Sequence, residues 1–268
     1  MNTTDRPKRA SSITIPEEIR QRGLMSWPES DIAAPDTAEV VARVVDHPYC
    51  DLRVQLDPVM GSKIANLIEI GDYELTDLAL FETYLRTGDT VLDIGGGVGI
   101  AAAFISRLTG RPVYAVEPDA RLHPLIRRNA ELNGAMVEII EGCVAPGPTR
   151  AEPTYVDFYV HKEFWRSSIN RIRDGEEYAS EPIKTRAFAL PELMARVEPD
   201  AVICDVEGAE SNLFNTPIGD HKPTWIFIEI HTPDMGERAT AGIIQQIIEQ
   251  GYALRDFRAW MFVFERRV

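Results

Sequence analysis

The chain has 268 residues, with 28 Lys and Arg against 42 Asp and Glu and a formal net charge of −14. That length suits one α/β domain with an added arm or cap, and the acidic balance argues against nucleic acid or an anionic membrane as the main partner, because both require a basic face. Cys50, Cys143 and Cys204 have neither metal-ligand spacing nor a pairing framework, which predicts a reducing, cytoplasmic setting; no window is apolar enough to span a bilayer, and the first residues lack the apolar stretch of a secretory signal.

In chain order, residues 1–13 read as a polar, basic tail, Pro16 to Arg22 as a short helix with Pro16 in its first turn, and Ser26 to Pro35 as loop. Asp36 or Thr37 is an N-cap for a helix through Asp46, with Val40, Val41, Val44 and Val45 on one face. Leu52 to Leu56 and Ala65 to Ile70 alternate as a hairpin-like pair of strands, forming an N-terminal cap outside the main sheet. A turn at Gly71-Asp72-Tyr73-Glu74 leads to an amphipathic helix from Leu75 to Leu85.

Thr90 to Gly99, T-V-L-D-I-G-G-G-V-G, organises the remainder. Val91-Leu92 is a buried strand closed by Asp93; Gly95, Gly97 and Gly99 form a tight turn, and Ile100 to Leu108 is an Ala-rich helix. A ligand lies directly against such a loop, facing the free N–H groups of the helix start. Val113 to Val116 is the next strand, ended by Glu117-Pro118, and an acid at that place accepts ribose hydroxyls. The spacing departs from the dinucleotide pattern G-x-G-x-x-G, which disfavours a nicotinamide enzyme.

A helix from Ala120 to Leu132 stops at Asn133-Gly134, and Val137 to Ile140 is the third core strand, followed by Glu141-Gly142-Cys143-Val144. Pro146-Gly147-Pro148 is a turn. Tyr155 to Val160 and Ile183 to Ala189 read as strands around a long functional loop, His161 to Ala179, and Pro191 to Val197 is a helix. Ala201 to Cys204 and Trp225 to Ile230 are the fourth and fifth core strands. A helix from Ala239 to Gln250 precedes two final strands, Tyr252 to Asp256 and Trp260 to Glu265.

The D-x-G-x-G-x-G motif resembles the first motif of class I S-adenosylmethionine (SAM) methyltransferases. Six blocks together are similar to the FkbM family of these enzymes: G-D-Y-E from Gly71, the glycine motif, Val116-Glu117-Pro118, F-W-R-S-S-I from Phe164, D-V-E-G-A-E from Asp205, and Ile228-Glu229-Ile230-His231. Gly96-Gly97 stands where that family usually has Ala-Asn. The resemblance covers about Leu56 to the end. It implies an α/β class I methyltransferase (Rossmann-like) fold, a seven-stranded sheet with a C-terminal antiparallel hairpin, plus an N-terminal helical/β cap. Residues 1–70 would be tail and cap and 71–268 the SAM-dependent methyltransferase domain. It also implies methylation of a hydroxyl on a small metabolite such as a sugar, glycoside or polyketide-type natural product.

On that reading Gly95, Gly97 and Gly99 are the cofactor floor and Glu117 the ribose acceptor. Asp93 holds the loop or faces the cofactor's ammonium, Glu74 is a second partner for that ammonium or a helix-start acid, and Glu141, Cys143 and Val144 edge the adenine. Methyl transfer to a hydroxyl is mostly alignment plus a base. His231 is the expected base because its free pKa lies near neutral, with Asp205 and Glu229 as catalytic acids beside it. Asp205 and Glu207, and likewise Glu229 and His231, share a face if their strands continue. Trp165, Arg166, Ser168 and Glu207 are expected to contact substrate. No metal is expected; the alternative is a Mg²⁺-dependent enzyme with Asp205, Glu207 and Glu229 as hard oxygen ligands. A non-catalytic SAM- or nucleotide-binding protein is the competing class. The partner is a small molecule, not nucleic acid or membrane, and homo-oligomerisation is left open.

Overall fold

The computed structural model describes residues 39–146, 152–170 and 181–267. The expected tail, the helix at Pro16 to Arg22, the loop at Ser26 to Pro35, the N-cap at Asp36 or Thr37, Gly147-Pro148 and the loop residues beyond Asn170 lie outside them. The described chain opens with a two-stranded antiparallel hairpin, β1 (Arg43–Asp46) and β2 (Arg53–Leu56). Two helices follow, α1 (Gly61–Ile70) and α2 (Leu75–Tyr84). Then come β3 (Val91–Ile94), α3 (Ile100–Thr109), β4 (Val113–Glu117), α4 (His123–Asn133) and β5 (Val137–Glu141). An inserted unit contains β6 (Cys143–Val144), β7 (Thr154–Phe158) and β8 (Ile183–Phe188). The chain closes with α5 (Leu190–Val197), β9 (Ala201–Cys204), β10 (Trp225–Glu229), α6 (Thr232–Met235), α7 (Glu237–Glu249), β11 (Tyr252–Arg258) and β12 (Met261–Arg266).

The main sheet has the order β11-β12-β10-β9-β3-β4-β5. Five neighbouring strands are parallel, and β12 runs antiparallel to both β10 and β11. This is the class I methyltransferase sheet, as expected. β6, β7 and β8 form a separate three-stranded sheet, and β1-β2 stays outside the main sheet.

Both faces of the central strands are covered, so their sequences are continuous apolar runs rather than alternating ones. Val91, Ala201, Ile203 and Phe227 pack on one side with Ile64, Ile68, Leu78 and Phe81 from α1 and α2. Leu92, Ile94, Val202, Cys204, Ile226 and Ile228 pack on the other with Leu193 of α5 and Ile243 and Ile247 of α7. Leu52, Val54, Leu56 and Met60 belong to the first cluster, so the segment before α2 is built into the core. Phe81 meets Phe227 edge to face at 5.2 Å.

Two N-terminal expectations are corrected. The helix expected up to Asp46 is absent: residues 39–42 carry no regular structure and Arg43–Asp46 is strand. β-branched valines suit a pleated ladder, and Arg43↔Leu56 to Asp46↔Arg53 supply its pairing. The strand expected at Ala65 to Ile70 is the second half of α1. There Ile64, Ala65, Leu67 and Ile68 are the buried positions, a helical period that a six-residue window mistakes for alternation.

His47, in the β1–β2 connection, is 5% exposed. Its Nδ1 accepts from the Tyr49 and Cys50 amides, which leaves Nε2 as the protonated nitrogen of a neutral ring, and burial pushes its pKa down to about 4. Neutral His47 therefore supports the fold above pH 6.5 and opposes it as pH falls towards 4, because the unfolded chain takes up the proton first. Urea unfolding should show the stability advantage of the wild type over His47→Gln shrinking by about 2–3 kcal/mol between pH 7.5 and 4.5. An unchanged difference would contradict this assignment.

Candidate functional site

In an open α/β sheet, ligands bind at the carboxyl ends of the strands where the strand order reverses. Here that place is between β3 and β9, the first strands of the two halves. A cleft opens there. Its walls include Glu74, Gly95, Gly97, Glu117, Asp205 and Glu207.

The glycine turn is set by close backbone contact. The amides of Gly95 and Gly96 both donate to the Val116 carbonyl, at 3.0 and 3.2 Å, and the Asp205 amide donates to Ile94 O at 2.9 Å. Gly95 has φ +97°, and a Cβ there would sit on the Asp205 carbonyl oxygen. Gly99, at φ +80°, brings the start of α3 against Ile126 of α4, where a Cβ would be 2.9 Å from the Ile126 Cα.

Glu117 is 5% exposed. Its Oε2 accepts from Gly97 N at 2.9 Å and its Oε1 from Asp119 N at 2.8 Å. Each oxygen keeps a lone pair for a further donor. Burial pushes its pKa up to about 8 against the pull of those two amides. Glu74 also lines the cleft, while Asp93 is buried in β3; Glu74 Oε2 and Asp93 Oδ2 have no hydrogen-bond partner among the described residues. Burial, reinforced by Asp77 one turn along α2, raises Glu74 to about 8; burial and then Asp205 raise Asp93 to about 7. The Tyr73 hydroxyl hydrogen-bonds Glu74, but the two orphaned oxygens remain, and a cation would answer them. A ligand with a diol at one end and an ammonium at the other fits this arrangement, and SAM is such a ligand.

Cys143 and Val144 line the cleft as expected, and burial keeps the Cys143 thiol neutral by pushing it up to about 12. Glu141 does not line it. Its side chain is 72% exposed and leans on His123 at 3.7 Å, because alternation along β5 turns it away. Of the expected substrate contacts, Trp165 and Glu207 face the cleft. Arg166 turns instead to Glu163 at 3.6 Å and lies over the Trp165 ring. Ser168 is 1% exposed and acts as a brace: its Oγ donates to Val206 O and accepts from Asn170 N. Tyr73 and Phe164, quoted in their motifs but given no role, line the cleft, as does Ser167 of the F-W-R-S-S-I run.

The D-V-E-G-A-E block does not continue β9. Glu207 adopts a left-handed φ of +51° and Gly208 one of +86°, which turns the chain back, so Asp205 and Glu207 do not follow strand alternation. Glu210 Oε1 accepts from Gly208 N at 3.1 Å and meets His231 Nδ1 at 2.8 Å. On the far side of the ring, Nε2 lies 3.3 Å from Glu207 and 3.9 Å from both Asp205 and Glu229. Burial works to lower the His231 pKa, but the Glu210 hydrogen bond and the charges of Glu207, Asp205 and Glu229 outweigh it and raise it to about 11. In the free protein this setting favours the protonated ring. The neutral base expected from the sequence is not the form this setting favours, and His231 sits behind the acids that reach the cleft. Glu210, quoted in its motif but given no role, is the residue that orients it.

No protein-family model matches the chain. Two curated relatives are ribosomal protein L11 methyltransferases. That of Caldicellulosiruptor bescii is 34% identical over 96 residues, 35% of this chain and 30% of the relative. That of Thermus thermophilus is 38% identical over 90 residues, 31% of this chain and 35% of the relative. The chain thus spans about a third of the length of these relatives. Among solved structures, Aeropyrum pernix fibrillarin in complex with SAM is 13% identical with a TM-score of 0.43, covering 86% of this chain and 85% of that one. The fold itself is carried by the sheet order, which is that of class I methyltransferases.

Two substitutions test this geometry. Gly95→Ala should destabilise the protein by at least about 3 kcal/mol, whereas Gly134→Ala, also at positive φ but with open space around it, should cost only about 1 kcal/mol; equal unfolding midpoints would refute the packing argument. Glu117→Ala should weaken SAM binding in calorimetry by about 1.5–3 kcal/mol, and affinity within twofold of wild type would remove the ribose assignment.

Proposed function

We propose that the protein is a SAM-dependent O-methyltransferase of the FkbM type, acting on a hydroxyl of a small metabolite. The observation that carries this reading is the joining, in one cleft, of a glycine turn with Glu117, of Glu74 with a buried oxygen that has no hydrogen-bond partner among the described residues, and of a second set of acids at Asp205 and Glu207. The first two groups suit the ribose and the ammonium of SAM. The third is left to face an acceptor.

When bound, SAM supplies a methyl group on a sulfonium, and the thioether leaves neutral, so no acid is required. The work left to the protein is alignment and removal of one proton. Glu207 faces the cleft, and its backbone is held in a left-handed conformation that aims the side chain across the β9–β10 edge. Its carboxylate accepts the hydroxyl proton as the new C–O bond forms. His231 stands behind it and orients Glu207 at 3.3 Å. Trp165, packed under the Lys63 ammonium at 4.8 Å, closes the acceptor side and excludes water. The acidic balance of the chain favours a neutral or cationic acceptor over a nucleic acid.

The sequence match to the L11 methyltransferases supports a second reading, in which the acceptor is a protein. Methyl-labelled SAM offered with a panel of glycosides and polyketide-type alcohols, and separately with ribosomal protein, separates the two. Labelling of an alcohol is expected; labelling of protein alone would transfer the assignment to the second reading, and no transfer to either would favour a binding protein without turnover. With a working alcohol, Glu207→Gln should lower kcat by about 10²–10⁴ with SAM affinity preserved. Retained turnover would place the base elsewhere.

A further inference from the structure

Beneath the acceptor side of the cleft, Asp205, Glu210 and His231 each offer a ligand atom, and these atoms lie within 4.8 Å of one another. We propose that these three residues hold a divalent cation of the Mn²⁺ class. Two carboxylates and one imidazole make a mixed O and N donor set, which suits a first-row divalent ion better than Mg²⁺, whose preferred ligands are carboxylate, carbonyl and water.

Two observations beyond the clustering point to a ligand. Glu210 is wholly buried, at 0% exposure, and its Oε2 has no hydrogen-bond partner among the described residues. Asp205 Oδ1 is likewise buried and unpartnered. A carboxylate oxygen sealed from water with nothing to accept from is costly, and a cation between these atoms removes that cost for both. The ring of His231 is already oriented: Glu210 Oε1 stands on Nδ1 at 2.8 Å, which leaves Nε2 and the unpartnered Glu210 Oε2 as the atoms for the ion.

Charge balance points the same way. Asp205, Glu207, Glu210 and Glu229 surround a single imidazole. On the methyl-transfer reading the ammonium of SAM would be met by Glu74 and Asp93, and so would not answer the charge of this second group. The site differs from the ligand set expected from the sequence: Glu210 replaces Glu207 and Glu229, because the reversal at Glu207 and Gly208 carries Glu210 under the His231 ring. A cation at this depth would polarise a hydroxyl presented to it. That use rests on the methyl-transfer reading; the binding itself does not.

Mn²⁺ alone is the probe, its free-ion electron paramagnetic resonance signal being lost on binding. The full chain, stripped with chelator and reloaded, should take up one Mn²⁺ per molecule. Glu210→Gln and His231→Ala should each weaken uptake by at least about tenfold, while Glu141→Gln, an exposed acid outside the cleft, should not. SAM affinity within threefold of wild type shows that a variant has folded. Failure of the wild-type protein to bind Mn²⁺ at millimolar concentration overturns the proposal without any variant, as does unchanged uptake by a folded Glu210→Gln or His231→Ala protein. Stoichiometric Mn²⁺ binding without methyl transfer to any acceptor would keep the cation site and reject the methyltransferase reading; transfer that survives in protein shown not to bind Mn²⁺ would do the reverse.

Discussion

A Cβ on residue 95 would occupy the space of the Asp205 carbonyl oxygen. That contact joins the ends of β3 and β9, the two parallel strands between which the strand order reverses. It forces a glycine with positive φ after β3 and thereby lowers the floor of the cleft to bare backbone. It also fixes where Asp205 begins the turn that carries Glu207 and Glu210 to His231. The cofactor side and the acceptor side of the cleft are therefore positioned by one junction, and the apolar layers on both faces of the sheet serve to hold it closed.

Around this junction the protein has gathered more buried acid than its own cations answer. Burial is the first cause of the raised pKa of Glu74, Asp93, Glu117, Asp205, Glu207 and Glu229 alike. Water-poor carboxylates without partners weaken a fold, so their accumulation at one strand edge marks the edge as a place built for charged guests. Glu117 is the most finished of the set: two backbone amides already hold its oxygens, and its remaining lone pairs are pre-aimed. His231 is finished in another sense, since its ring is oriented by neighbours on both nitrogens.

Much of this was legible from local pattern. The strand, glycine turn, helix and following acid from Val91 to Glu117 are determined within thirty residues, so their spacing alone announces them, and the antiparallel closing pair follows from two apolar runs around a tight turn. The valines at 40, 41, 44 and 45 were not legible, because that spacing suits one face of a helix as well as a β-branched strand, and only pairing with Arg53–Leu56 decides between them. The role of Glu210 was hidden for a related reason. It depends on a non-glycine residue, Glu207, adopting a left-handed backbone, which strand alternation does not anticipate. Arg166 and Ser168 have the chemistry of substrate contacts, yet a brace to Val206 and an ion pair with Glu163 claim them first.

The central claim is that the junction of β3, β4 and β9 binds SAM through acids that are protonated until the cofactor arrives. Glu74 and Glu117 are both raised to about 8 in the free protein, so at pH 7 each carries a proton that an ammonium or a pair of ribose hydroxyls would displace. Calorimetric titration of SAM at pH 7 in buffers of differing ionisation enthalpy measures this directly. The account predicts one site per chain with net release of protons on binding; absence of binding, or binding with proton uptake, would contradict it.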